Sequence, residues 1–193
     1  MKILNNKKDA IQELERISTR TNSENNNSIN AIVEEILQEV KTYGDIAVEK
    51  YTKKFDGFNP NPMQVSANDL KDAWDEIDGN LKRSLELAHK RIKKFHEKEI
   101  PPSFTLEGEH GDTVQRRWKP VKNAGIYIPG GRAAYPSTVL MNAIPAKVAG
   151  VNEIIMVSPG NREGTINKTV LAAAYLSGIN KVFRIGGAQA IGA

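Results

Sequence analysis

The residues best suited to chemistry sit in two glycine-bearing runs. In IPGGRAAYPST, residues 128–138, a Pro-Gly-Gly turn is followed by Arg132, Tyr135 and the hydroxyls of Ser137 and Thr138. Glycines let a backbone approach a ligand closely, and amides and hydroxyls at a helix start can hold an anionic group, with Arg132 as a nearby cation. The same run also reads as a plain turn with Ser137 as an N-cap, and local sequence leaves both readings open. It is not a G-x-G-x-x-G fingerprint, because Gly131 directly follows Gly130 and no later glycine enters the helix. A standard dinucleotide cradle is therefore not supported. The second run, IGGAQAIGA at 185–193, sets Gln189 among small residues. Its amide donates and accepts, which suits a nucleotide's ribose or amide and equally suits a helix cap or solvent.

Histidine chemistry is harder to place. His89 and His96 are seven apart and can share a helix face, but no Asp or Glu joins them at the spacing of a zinc helix motif, so two surface histidines are the better reading. His110 lies beside Glu109 and Asp112 in a polar stretch and reads as a solvated loop residue. No Ser-His-Asp or paired-carboxylate arrangement is legible, and the absence of cysteine removes disulfides, thiolate metal sites and cysteine nucleophiles.

The elements that must position these runs fall into two halves. From Ser28 the apolar residues Ile29, Ile32, Val33, Ile36, Leu37, Val40 and Tyr43 keep helical spacing, and Gly44 ends the run. A short helix is expected from Asp45 as N-cap to Phe55, then a turn-rich connector over 56–62. Ser66 is expected to cap a helix through Leu70, Trp74 and Ile77, and Asn80 another carrying Leu81, Leu85, Ala88, Ile92 and Phe95. Pro101 and Pro102 break this pattern and mark a domain boundary, with a helical N-terminal region over 1–102 and an α/β domain over 103–193. Beyond it, Thr113–Trp118 alternates like a hairpin arm. Strands are expected at Ala124–Ile128, Glu153–Val157 and Lys181–Ile185, with helices from Ser137 to about Gly150 and from Glu163 to Ser177. The fold class is α/β, a helical N-terminal region followed by an incomplete Rossmann-like parallel sheet with flanking helices. Ligand crevices of such sheets lie at the carboxyl ends of the strands, which places Tyr127, Pro129 and Gln189 along one crevice.

Composition narrows the partners. The 193 residues are enough for one generous domain or two small ones, and 39% hydrophobic content allows a core. No stretch nears the roughly 20 apolar residues that cross a bilayer, and MKILNNKKDA is no secretory signal, so a cytoplasmic location without membrane attachment is expected. Net charge is +4, with the basic excess in the second half, where it could attract an anionic ligand. Those basic residues are scattered without interleaved aromatics, which argues against nucleic acid.

Residues 125–146, GIYIPGGRAAYPSTVLMNAIPA, closely resemble histidinol dehydrogenase, and VFRIGGAQAIGA at 182–193 matches a second stretch of that family. TYGDIAVEKYTKKFDG at 42–57 also resembles the family's N-terminal region. The resemblance implies a homodimeric enzyme of histidine biosynthesis that oxidises L-histidinol through L-histidinal to L-histidine, reducing two NAD and using zinc. It implies cofactor contacts at Tyr127, Pro129 and Gln189, and a substrate-side role for Ser137. The family's adjacent Glu-His pair and its zinc ligands belong to a later stretch, so no catalytic residue or metal ligand is expected within these residues. Gly192 stands where many members have alanine.

Three strands with their helices, ending at Ala193 a few residues into another helix, leave the sheet unfinished. The chain is thus expected to be the N-terminal portion of the enzyme, inactive alone and weak in binding NAD. The alternative is a non-catalytic interaction or oligomerisation module that uses the open sheet edge.

Overall fold

The computed structural model describes residues 4, 6–18, 24–130 and 134–193, with side chains of 24–27 excluded. Helices α1 (Lys7–Ser18), α2 (Glu24–Tyr43) and α3 (Asp45–Phe55) lead into a two-residue strand β1 (Gln64–Val65), then α4 (Ala67–Glu76) and α5 (Gly79–His96). An antiparallel hairpin of β2 (Phe104–Glu107) and β3 (Thr113–Arg116) follows. The remainder alternates as β4 (Asn123–Tyr127), α6 (Pro136–Val148), β5 (Glu153–Val157), α7 (Lys168–Leu176), β6 (Lys181–Phe183) and α8 (Gly187–Gly192).

The sheet has the order β1-β6-β5-β4, with β4, β5 and β6 mutually parallel and β1 antiparallel to β6. Side-chain alternation makes two faces. Ile126, Ile154, Met156 and Val182 enter a core shared with Val139, Leu140, Ala143 and Ile144 of α6 and Val170, Ala173 and Ala174 of α7. On the other face α2, α3 and α8 pack through Ile36, Val40, Val48, Tyr51, Ile185 and Ala190, and Val157 and Phe183 lie against them. The α/β class and the parallel sheet with flanking helices expected from the residues are present.

The two stretches on either side of 102/103 share one core. Val65, Leu70, Ile77 and Leu85 lie in the same buried cluster as Ile126 through Val182, and α4 packs on α7 while α5 packs on α6. The physical reason is that amphipathic helices must bury their apolar faces, and the outer surfaces of α6 and α7 supply the partner. The prolines at 101–102 interrupt regular structure without ending the core.

Helix starts also shift. Ser66 caps α4 with a full capping box to Asp69, as its spacing predicts. Gly44 rather than Asp45 occupies the N-cap of α3, and Asp78 rather than Asn80 caps α5 by accepting from the Asn80 and Leu81 N–H groups. Helix α6 starts at Pro136 with Tyr135 at its N-cap, so Ser137 is not the cap. Residues 163–167 are not helical. Asn161 Oδ1 accepts from the Glu163 and Thr165 amides at 3.0 and 2.9 Å, which folds this stretch into a turn and defers α7 to Lys168.

Candidate functional site

Three loops meet at the carboxyl ends of the parallel strands, and Pro159 of the β5–α7 loop is their common contact. A Cβ on Gly130 would lie 2.6 Å from Pro159 Cγ, and one on Gly186 would lie 2.6 Å from Pro159 Cβ. Neither position can carry a side chain without the loops parting, so Gly130 and Gly186 are required by close backbone approach.

Tyr127 ends β4 on the sheet face opposite α6 and α7. Its hydroxyl accepts from the Gly187 N–H at 3.2 Å, which joins the ends of β4 and β6. Gln189 stands one residue beyond Ala188 in α8 and is fully buried, and neither atom of its amide has a hydrogen-bond partner. Its Oε1 lies so close to Gly187 that a Cβ there would approach to 2.5 Å. An unsatisfied buried amide costs on the order of 1–3 kcal/mol.

Two cavities flank this junction. One, of about 820 Å³, opens over the free part of the sheet and is lined by Tyr127, Ile155, Val157, Phe183 and Ile185, with Asp45 and Glu49 as its acids. The other, of about 460 Å³, lies on the helix side and includes Pro129, Gly130, Ser158 and Pro159. Tyr127 and Gln189 thus gather around Gly187, and Pro129 borders the neighbouring cavity. Ser137 is exposed in the first turn of α6 and lines neither cavity. Arg132 lies outside the described residues.

Arg184, which sequence reasoning treats as one of several scattered cations, has a defined positioning role. Its Nε donates to the Pro62 carbonyl at 2.7 Å and its guanidinium to the Gly164 carbonyl at 3.2 Å, while its backbone N–H donates to Met63. It ties the 62–63 connector and the β5–α7 loop to the end of β6. Phe58 is also missed from sequence: its ring fills a slot between Gly160 and Gly164. The turn residues around Phe58 mark only a connector, and nothing local shows where its ring goes.

The histidines lie elsewhere. His96 Nδ1 meets the Glu99 carboxylate, and His110 sits exposed at the tip of the hairpin. Burial and then Lys93 hold the His89 imidazole below its ordinary pKa, which favours the neutral ring in the folded chain. The unfolded chain takes up this proton more readily, so His89 makes folding less favourable as pH falls through about 6.5. We expect the urea midpoint to drop less between pH 7.5 and pH 5.5 in His89→Gln than in the parent chain, and equal drops would contradict this. Among the described residues, no three His, Cys, Asp or Glu side chains lie together as a metal ligand set. No helix among them is long and apolar enough to cross a membrane.

Comparison with known proteins bears on the assignment directly. The family model for histidinol dehydrogenase matches residues 19–193. Histidinol dehydrogenase of Prochlorococcus marinus (strain MIT 9312) is 89% identical over the whole chain, which covers 44% of that protein. The enzyme of Parasynechococcus marenigrum (strain WH8102) is 47% identical, again over the whole chain and 44% of the relative. A crystal structure of histidinol dehydrogenase from Elizabethkingia anophelis superposes with a TM-score of 0.81 at 36% identity, covering 85% of this chain and 38% of that one. The chain therefore spans less than half the length of the relatives it matches. With a family match over nearly all its residues and the corresponding fold, the chain belongs to the histidinol dehydrogenase family.

Proposed function

We propose that the chain forms the cofactor-side wall of a cytoplasmic, homodimeric, NAD-dependent dehydrogenase that oxidises L-histidinol through L-histidinal to L-histidine. The observation that carries this reading is the buried Gln189 amide without a partner, next to the Gly187 N–H that Tyr127 holds. A nucleotide's ribose or carboxamide offers the donors and acceptors that would satisfy it. Tyr127, Pro129 and Gln189 are the residues we assign to NAD, which supplies the hydride acceptor of the reaction. Tyr127 fixes the separation of the β4 and β6 loops, Pro129 bounds the adjoining helix-side cavity, and Gln189 sets the orientation of the polar group it meets. Ser137, exposed at the start of α6, is assigned to the substrate side by resemblance alone.

The described residues do not fit zinc, since no ligand set converges among them, and no step through the metal is derived from this chain. In this reading the acid–base pair and the zinc ligands belong to the part of the family's length that these residues do not span. The 193 residues alone are then inactive and bind NAD weakly, because a crevice missing one wall loses contact area and pre-organisation.

Saturation-transfer NMR with NAD tests the placement. We expect a weak, saturable signal that Gln189→Leu abolishes while thermal stability is retained, since that substitution removes two unsatisfied buried atoms. A signal unchanged by both Gln189→Leu and Tyr127→Phe would falsify the cofactor assignment. Formation of NADH from L-histidinol by this chain alone, with zinc supplied, would show that the acid–base groups lie within it.

A further inference from the structure

The helix-side cavity has properties that the proposed Tyr127 and Gln189 contacts do not use. Its lining includes Ser158, Asn161, Asn167 and Lys168, and no aspartate or glutamate. Ser158 continues the alternation of Ile154 and Met156 and so turns toward the α6/α7 side of the sheet. It is 2% exposed, and its backbone N–H donates to the Phe183 carbonyl at 3.0 Å. Among the described residues its hydroxyl has no hydrogen-bond partner. The residue is closed in on all other sides, so its unpaired hydroxyl is presented to a cavity large enough for a ligand.

The surroundings favour negative charge. The first turn of α7 borders the cavity, and a helix N-terminus carries partial positive charge on N–H groups that have no partner within the helix. Asn167 satisfies the Thr169, Val170 and Leu171 amides, which leaves the Lys168 N–H as the free donor of that turn. Asn161 uses its Oδ1 on the Glu163 and Thr165 amides, so its Nδ2 remains to donate. The Lys168 ammonium pairs with the exposed Glu76 carboxylate and adds a cation at the rim.

We propose that this cavity binds a phosphoryl oxyanion, held by the Ser158 hydroxyl, the Asn161 side-chain amide and the N-terminal turn of α7. Ser158 is the discriminating donor because its residue is almost wholly enclosed, its hydroxyl has no partner among the described residues and it lies outside the helix. The chemistry is that of a phosphate group, whether free or part of a dinucleotide's diphosphate. Pro129 lines the same cavity, so a dinucleotide contacting it lies within reach. The proposal stands on the cavity itself and not on the assignment of Gln189 to NAD.

Titration of the isotopically labelled chain with inorganic phosphate and pyrophosphate, at constant ionic strength set by sodium chloride, tests it. We expect saturable shifts of the Ser158, Asn161 and Lys168 amides. Ser158→Ala should weaken binding by about fivefold or more while leaving the thermal midpoint unchanged or higher, since the hydroxyl makes no hydrogen bond among the described residues. Ser158→Cys, which keeps the volume and weakens the donor, should fall between the two. Chloride reproducing the shifts, or Ser158→Ala and Ser158→Cys both binding like the parent, would overturn the site. Displacement of pyrophosphate by NAD makes the diphosphate of the dinucleotide the source. Pyrophosphate binding that NAD leaves in place supports the same pocket serving a separate phosphorylated ligand. An NAD signal that depends on Gln189 but not on Ser158, with no pyrophosphate shifts, would reject this site while leaving the cofactor contacts intact.

Discussion

Met156→Ala should lower the unfolding free energy by about 2–5 kcal/mol, the range for emptying a fully buried large side chain. Met156 is 0% exposed and lies in the middle strand, opposite Ile126 of β4 and Val182 of β6. Its side chain enters the core shared with α6 and α7, where neighbours are held on both strands and cannot readily collapse into the space. A loss near 3 kcal/mol corresponds to roughly 6–12 °C in thermal midpoint for a chain of this size. The contrast is Ile155→Ala on the other face of the same strand, beside the open cavity. Ile155 already borders space, so its truncation deletes fewer contacts and should cost about half as much or less. Equal losses at 155 and 156 would mean that the free face is packed in solution, contrary to the structure. Chemical denaturation of the two variants decides the matter.

The difference between those two neighbours shows what the sequence could and could not convey. Glu153–Val157 reads as a buried strand from composition alone, and the strand occupies those residues. A continuous apolar run cannot show that one face is closed by helices and the other partly open, because that depends on which distant segments arrive. The same limit explains β1. Gln64 and Val65 are too few to make a pattern, and they become a strand only because β6 offers them an edge. It also explains the core that crosses 102/103: Pro101-Pro102 is a real local signal, whereas the packing of α4 on α7 and α5 on α6 is a tertiary event with no local marker.

The site was legible to a similar depth. The glycine pairs direct attention to the loops at the strand ends, where Tyr127 and Gln189 meet around Gly187 while Pro129 lines the neighbouring cavity. That Gln189 would be wholly buried with an unsatisfied amide was not readable, since a Gln among small residues is compatible with a cap or with solvent. Ser158 carries no local signal beyond its place at a strand end, for the opposite reason. A single serine after a strand is commonplace, and its significance rests on burial, the cavity beside it and the missing partner. The Ala- and Leu-rich run from Lys168 gives no sharp start to α7, and a side-chain-pinned turn at Asn161 keeps 163–167 out of the helix.

That turn also sets up the second large effect, which couples two segments far apart in sequence. Gly164 has φ of 75°, and a Cβ there would lie 2.8 Å from Phe58 Cδ2. Gly164→Ala therefore meets two penalties. The left-handed backbone costs a non-glycine residue about 1–2 kcal/mol, and forcing a methyl against a packed ring adds about 1–3 kcal/mol. The total expected destabilisation is about 2–5 kcal/mol, read from denaturant unfolding. The two penalties separate in a double-mutant cycle with Phe58→Ala, because the atoms nearest the added methyl all belong to that ring. In the Phe58→Ala background the steric part vanishes and the backbone part remains, so Gly164→Ala should then cost about 1–2 kcal/mol. The Arg184 guanidinium bonds the Gly164 carbonyl, so the parent chain has a reason to keep this residue in place. Additive losses in the double variant would show that Phe58 is not the atom set Gly164 accommodates, and that the connector and the β5–α7 loop are not locked by this contact.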